Sequence, residues 1–256
     1  STKTGLAPAI MPVHLNGRIC DMEKLMDIAK KHNLVVIEDA AQALGAKFKG
    51  KIGGSFGLAS CFSFYPAKIL GSVGDAGAVA TDDEELFKKI RLFRNHCQQK
   101  NEQGKLEFLC IGETSRMHNL QAAILNVKFK YLPAWIKKRR EIAKKYETGL
   151  ISIKEINIPP APGSDKRYFD AFQNYVLRVE KRNELFRFLK ENGVETLIKD
   201  PIPNHFQSPF RLSNFKLSLT ERLADEVISL PMYPELTDEQ IQYVIDRVKD
   251  FYAKNT

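Results

Sequence analysis

The sequence predicts an α/β fold: an open sheet with flanking helices, followed by a smaller α+β domain. Two observations carry this. The helix-period stretch DMEKLMDIAKKHN runs straight into LVVIED, whose short β-branched apolar run suits a strand buried on both faces of a parallel sheet. The composition, 43% hydrophobic and 27% charged over 256 residues, is that of a globular chain and excludes disordered and fibrous classes.

In chain order, Met22, Leu25, Met26 and Ala29 recur at i, i+3, i+4, i+7 with Asp21 as N-cap, so the first helix is amphipathic. Short strands are expected at 60–64 and 77–81. Asp82 or Asp83 then caps a helix carrying Leu86, Ile90 and Phe93 on one face. A longer stripe, Leu120, Ile124, Val127 and Tyr131, is interrupted near Pro133, which lacks a backbone donor. That break sets the expected domains, 1–130 for the α/β part and 131–256 for the smaller one. In the second part, INIPPAPGSDKR reads as a surface loop, 172–179 as a strand, 183–191 as a helix and 195–198 as a short strand, with two closing helices.

Composition also bounds the function. No apolar run reaches the roughly 18 residues that span a bilayer, and the opening STKTGLAPAIMPVH lacks the regions of a signal peptide, so a cytoplasmic, non-membrane protein is expected. Cys20, Cys61, Cys97 and Cys110 form no C-x-x-C pair and have no His at metal-ligand spacing, so they read as reduced, with no metal site. The net charge of +8 could serve nucleic acid, a membrane surface or a phosphorylated small molecule. The densest basic run, Lys137 to Arg140, lies in a helix whose apolar positions Ile136, Ile142 and Tyr146 leave the charges outward, which disfavours nucleic acid.

Two motifs carry chemistry. Asp39 ends the buried strand, and open α/β sheets bind ligands at the carboxyl ends of their strands, although an Asp there also serves as a helix cap or a metal or ribose ligand. In CFSFYPAKILGSVGDAGAVA a strand opens into Ser63, then Lys68, then a glycine-rich return. A crowded, partly desolvated lysine is one that can lose its proton and attack an aldehyde, Ser63 can offer a hydroxyl to a phosphate, and Gly71, Gly74 and Gly77 let the backbone turn tightly. Glycine-rich turns before strands are equally common without a ligand.

Together, EDAAQALGA, FSFYPAK and GDAGAVATDD resemble the DegT/DnrJ/EryC1/StrS family of sugar aminotransferases, with further agreement at PVHLNG, RNH, SRMHNLQAAIL, PIPNHFQ and SLPMYPELTDEQI. The resemblance implies the type I pyridoxal-phosphate-dependent transferase fold, like that of aspartate aminotransferase. It implies that Lys68 forms a Schiff base with pyridoxal 5'-phosphate, Asp39 pairs with the pyridine nitrogen, Ala41 lies against the ring, Gln42 bonds near the ring hydroxyl or substrate, and Ser63 holds the phosphate. The implied substrates are an amino acid, glutamate by resemblance, and a nucleotide-linked keto sugar, as in polysaccharide biosynthesis. The implied assembly is a homodimer with shared sites.

The sequence departs from the family in several places. Family members carry a longer N-terminal stretch, and STKTGLAPAIMPVH resembles the middle of their large domain. Thr114 stands where the family's Asn reaches the partner subunit's cofactor phosphate, Cys97 follows Arg94-Asn95-His96 in place of Gly, and Lys199-Asp200 replace His-Tyr. His14 and His205 match family positions, where structural hydrogen bonds or substrate contact would both fit. Lys68 argues against the dehydratase branch, which has histidine there. A non-catalytic binding or regulatory protein on the same fold is the competing reading.

Overall fold

The computed structural model describes residues 8–210, 212 and 214–255. Residues 1–7, the start of the segment compared above with the middle of the family's large domain, lie outside them. The elements run β1 (Ala9–Ile10), α1 (Met22–Lys31), β2 (Val35–Asp39), β3 (Lys47–Phe48), β4 (Lys51–Ile52), β5 (Ala59–Ser63), β6 (Gly77–Ala80), α2 (Glu84–Phe93), β7 (Gln98–Lys100), β8 (Leu106–Phe108), α3 (Asn119–Phe129) and α4 (Leu132–Leu150). Then follow β9 (Ile156–Asn157), β10 (Tyr168–Phe169), β11 (Tyr175–Val179), α5 (Arg182–Glu191), α6 (Ser218–Glu226), β12 (Val227–Leu230) and α7 (Asp238–Asn255). They divide into two compact units, one running to Ala134 and taking in Arg167–Asp170, the other formed by Trp135–Lys166 and the chain from Ala171 on.

The first unit holds a four-stranded sheet in the order β1-β2-β5-β6. Its first three strands are parallel, with Asp39 opposite Cys61, while β6 runs antiparallel to β5. The α1 helix forms as its pattern requires: Asp21 accepts the Lys24 N–H, and Met22 and Ala29 are buried. Asp83 caps α2 through the Leu86 N–H. Burial on both faces of β2 is not observed: Val36 and Glu38 are buried, whereas Val35 is 40% exposed and Ile37 and Asp39 are half-buried. A short apolar run cannot by itself distinguish one covered face from two.

The reading of four reduced cysteines is corrected at Cys97 and Cys110, which form a disulfide with Cα atoms 5.4 Å apart. The β7–β8 hairpin causes the pairing, because its antiparallel register continues to the bond from the Leu109 N–H to the Cys97 carbonyl and sets the two residues side by side. Sequence spacing alone does not show a hairpin this short.

The second unit has a three-stranded antiparallel sheet, β12-β11-β9, packed with α4, α5 and α7 around a continuous core that includes Ile142, Tyr146, Tyr175, Leu177, Leu185, Ile228, Ile241 and Val248. The expected strand at 195–198 is reduced to a single bridge, Leu197 to Ser229. The expectation that the basic run faces outward fails at Arg139, which is 6% exposed and donates to the carbonyls of Phe172, Gln173 and Met232. Arg139 lies three residues from both Ile136 and Ile142, on the buried stripe itself. Burial lowers its pKa to about 10, the nearby Glu235 charge acting the other way, so it stays charged at neutral pH.

Candidate active site

The local fold puts Asp39 and Ser63 at the carboxyl ends of the two central strands of the first unit's sheet, and Lys68 in the loop that follows the second of them. Asp39 is the last residue of β2 and Ser63 the last of its parallel neighbour β5. Cys61 is in register with Asp39, and side chains alternate along a strand, so Ser63 shares the Asp39 face, about 8 Å away by strand spacing and rise. Lys68 sits midway in the loop that leaves β5. That loop is closed by the Ser72 N–H donating to the Phe64 carbonyl at 2.7 Å and the Phe64 N–H donating to Ala76 at 2.8 Å, with the Lys68 N–H turned onto the Tyr65 carbonyl. A Cβ on Gly71 would stand 2.2 Å from the Pro66 carbonyl oxygen, so this return path accepts only glycine.

Side-chain dipoles around Asp39 are arranged in order. Asp39 Oδ1 accepts the Ala41 N–H at 3.0 Å, which fixes the carboxylate and holds the Ala40 to Gln42 turn. Gln42 Oε1 accepts the Asn16 N–H at 2.9 Å, so its amide nitrogen is the end left to donate elsewhere. Ser63 Oγ accepts the Tyr65 N–H. Thr114 is elsewhere along the chain, in a segment paired with residues 93–97: it bridges Asn95, and its hydroxyl lies 3.1 Å from His96 Nε2.

A buried couple underlies these strand ends, and sequence reasoning saw only half of it. His14 Nε2 meets Glu38 Oε2 at 2.9 Å, both side chains fully buried, and Glu38 also accepts the N–H groups of Gly54, Phe56 and Gly57. Burial works against the Glu38 carboxylate, but the bonds from His14 and the three amides outweigh it and hold the group below its usual range. The neighbouring segment is tied to Asp39 itself, His14 N–H to the Asp39 carbonyl and Asp39 N–H to that of Pro12. A charged residue alternating with Asp39 inside an apolar strand was the available signal. His205 is likewise buried and bonded to Glu221 at 3.1 Å.

The donor set suits a phosphorylated aldehyde cofactor such as pyridoxal phosphate: a fixed carboxylate, a hydroxyl, a half-buried amine and a glycine return in which a Cβ would clash. Among the described residues no cluster of His, Cys, Asp and Glu could hold a metal, and no helix is long and apolar enough to cross a membrane. A cavity of about 810 Å³ in the second unit, lined by Thr196, Ser229 and Tyr233, holds none of the candidate residues.

Comparison with known proteins agrees over almost the whole chain. The chain is 43% identical over 247 residues to the "Pleiotropic regulatory protein" of Geobacillus stearothermophilus, covering 95% of this chain but 65% of that protein. It is 42% identical over 253 residues to the dTDP-3-amino-3,6-dideoxy-alpha-D-galactopyranose transaminase of Aneurinibacillus thermoaerophilus, covering 97% of this chain and 66% of the relative. The solved structure of S. venezuelae DesV, in complex with a ketimine intermediate, superposes with a TM-score of 0.88 at 33% identity, covering 98% of this chain and 67% of that one. With the family model matching residues 2–249, the chain belongs to the DegT/DnrJ/EryC1/StrS aminotransferase family.

Proposed function

We propose that this chain carries the main part of the active site of a pyridoxal-phosphate-dependent aminotransferase, which moves an amino group from an amino acid, glutamate in our reading, to a keto group of a nucleotide-linked sugar. The observation that supports it is that Asp39 and Ser63 end the neighbouring parallel strands β2 and β5, with Lys68 in the loop that leaves β5, in a chain of this family. The relative from Aneurinibacillus, named as a transaminase of a dTDP-linked amino sugar, supports the substrate class. The chain spans 65% of the first relative's length, and residues 1–130 are proposed as the remainder of a large domain that in the family has a further N-terminal part, with 131–256 as the small C-terminal domain.

Bound pyridoxal phosphate would supply an electron sink for the pair left when a proton leaves the amino-acid Cα. Lys68 would hold it covalently and, once displaced by the donor amine, move the proton from Cα. Asp39, fixed by the Ala41 N–H, would keep the ring nitrogen protonated. Gln42 would donate to the ring hydroxyl, Ala41 would pack on the ring face, Ser63 would hold the phosphate, and Thr114 would reach the phosphate of a partner subunit in a cytoplasmic homodimer. A second reading, a non-catalytic regulatory protein, is favoured by the name of the Geobacillus relative.

Visible absorbance decides between them. With pyridoxal phosphate the protein should develop a band that bleaches with glutamate, and Lys68→Arg should lose both band and turnover because a guanidinium stays protonated. Transamination undiminished in Lys68→Arg would sink the assignment, and no band in the unmodified protein would favour the regulatory reading.

A further inference from the structure

One face of α3 holds the loop that carries Lys68. Gln121 and Lys128 are seven residues apart, two helical turns, and so project from the same side. Gln121 Nε2 donates to the Asp75 carbonyl at 3.1 Å, and Lys128 Nζ donates to the carbonyl of Gly71. The two acceptors bracket the stretch Gly71-Ser72-Val73-Gly74-Asp75, whose two glycines leave its backbone few restraints from side chains. Contact is close at both ends: Gly71 packs on Pro66, and a Cβ on Gly74 would stand 3.0 Å from Gln121 Nε2. Gln121 faces two ways, since its Oε1 accepts the N–H of His118, the residue that caps α3 and ends the segment bearing Thr114.

We propose that Lys128 and Gln121 are positioning residues for Lys68: they fasten both ends of the glycine return to a rigid helix, and through Gln121 they couple that loop to the Thr114 segment. An ammonium on a backbone carbonyl is a charge-assisted bond, stronger than the loop's own amide bonds. Without it the return from Gly71 loses its outer anchor, and the Ser72-to-Phe64 bond that closes the loop around Lys68 opens more often. The inference rests on the proposed function for its catalytic meaning, but not for its structural content.

The test is backbone hydrogen exchange at the Lys68 and Ser72 amides in the protein without cofactor, followed by kinetics and visible absorbance with pyridoxal phosphate. Lys128→Met should speed exchange at both amides about tenfold, and Lys128→Arg, which can still donate to the Gly71 carbonyl, should restore most of the protection. With cofactor, Lys128→Met should lower kcat about tenfold with little change in KM for the amino donor, and displace the pH midpoint of the visible band. If Lys128→Met does not fold, Gln121→Leu reads the same loop through its Asp75 contact. Unchanged exchange and an unchanged pH midpoint in both variants would overturn the proposal. Altered exchange in a protein that forms no band would leave the clamp standing and remove the aminotransferase reading instead.

Discussion

In the second unit α4, α5 and α7 each bury an apolar stripe, and Leu177, Leu185, Leu189 and Tyr146 are fully enclosed. In the first unit α2 has a clear apolar face yet no buried residue, β6 is exposed at every position, and on α3 Leu120 is 71% and Val127 58% exposed. The same periodicity therefore has two outcomes. An amphipathic pattern states which face is apolar and does not state what covers it. The contrast also sorts the candidate residues: Asp39, Ser63 and Lys68 lie in the unit with open faces, while the large closed core holds none of them.

The comparison would break first on stability. Leu177→Ala in the second unit should cost about 2–5 kcal/mol, because it removes a fully enclosed side chain and leaves a cavity. Val127→Ala on α3 should cost less than about 0.5 kcal/mol. Denaturant unfolding of the two variants measures both. Equal losses would mean that Val127 is covered in solution.

A middle-sized effect sharpens the contrast from within the first unit, where Glu38 is fully buried and satisfied although β6 and the apolar face of α2 are open. Glu38→Gln should cost about 1–3 kcal/mol at neutral pH, since an amide nitrogen would then face backbone donors. The sign of the pH dependence follows from the depressed Glu38 pKa. Its contribution is fully present above the unfolded value of about 4.3 and is lost as pH falls through the lower folded value. The gap in unfolding midpoint between the parent protein and Glu38→Gln should therefore narrow below about pH 4. A gap that is constant down to pH 3 would show that shape, not charge, is what the couple provides.

Much of this was legible in the sequence. The helix at 22–31 announced its cap and stripe, and the motifs around Asp39 and Lys68 pointed to the strand end at Asp39 and to the loop that leaves β5 and carries Lys68. What escaped needed two distant residues at once. The charge of Arg139 points to solvent, whereas its place on the stripe between Ile136 and Ile142 buries it. The Cys97–Cys110 pair depends on a hairpin register, and the Glu38 donors come from a loop 16 to 19 residues away. Local patterns specify faces and ends of elements; pairings across the fold are set by topology, which the patterns only constrain.

The smallest expected stability effect tests what covers the open faces. Ile111, 94% exposed, follows the β7–β8 hairpin beside Phe108 and Leu109, which are 65% and 52% exposed. Ile111→Ser should change the unfolding free energy by less than about 0.5 kcal/mol, because the side chain leaves no contact behind in the single chain. In the proposed homodimer, whose shared sites would draw on the adjacent Thr114, burial of this residue against a second copy would contribute roughly 1.5–3 kcal/mol for each isoleucine. Sedimentation over a concentration series should then show the Ile111→Ser dimer dissociating at a concentration at least tenfold higher than the parent, with the unfolding curve of the monomer unchanged. An identical dissociation curve would place the hairpin outside the interface, and the openness of the first unit would need another partner to explain it.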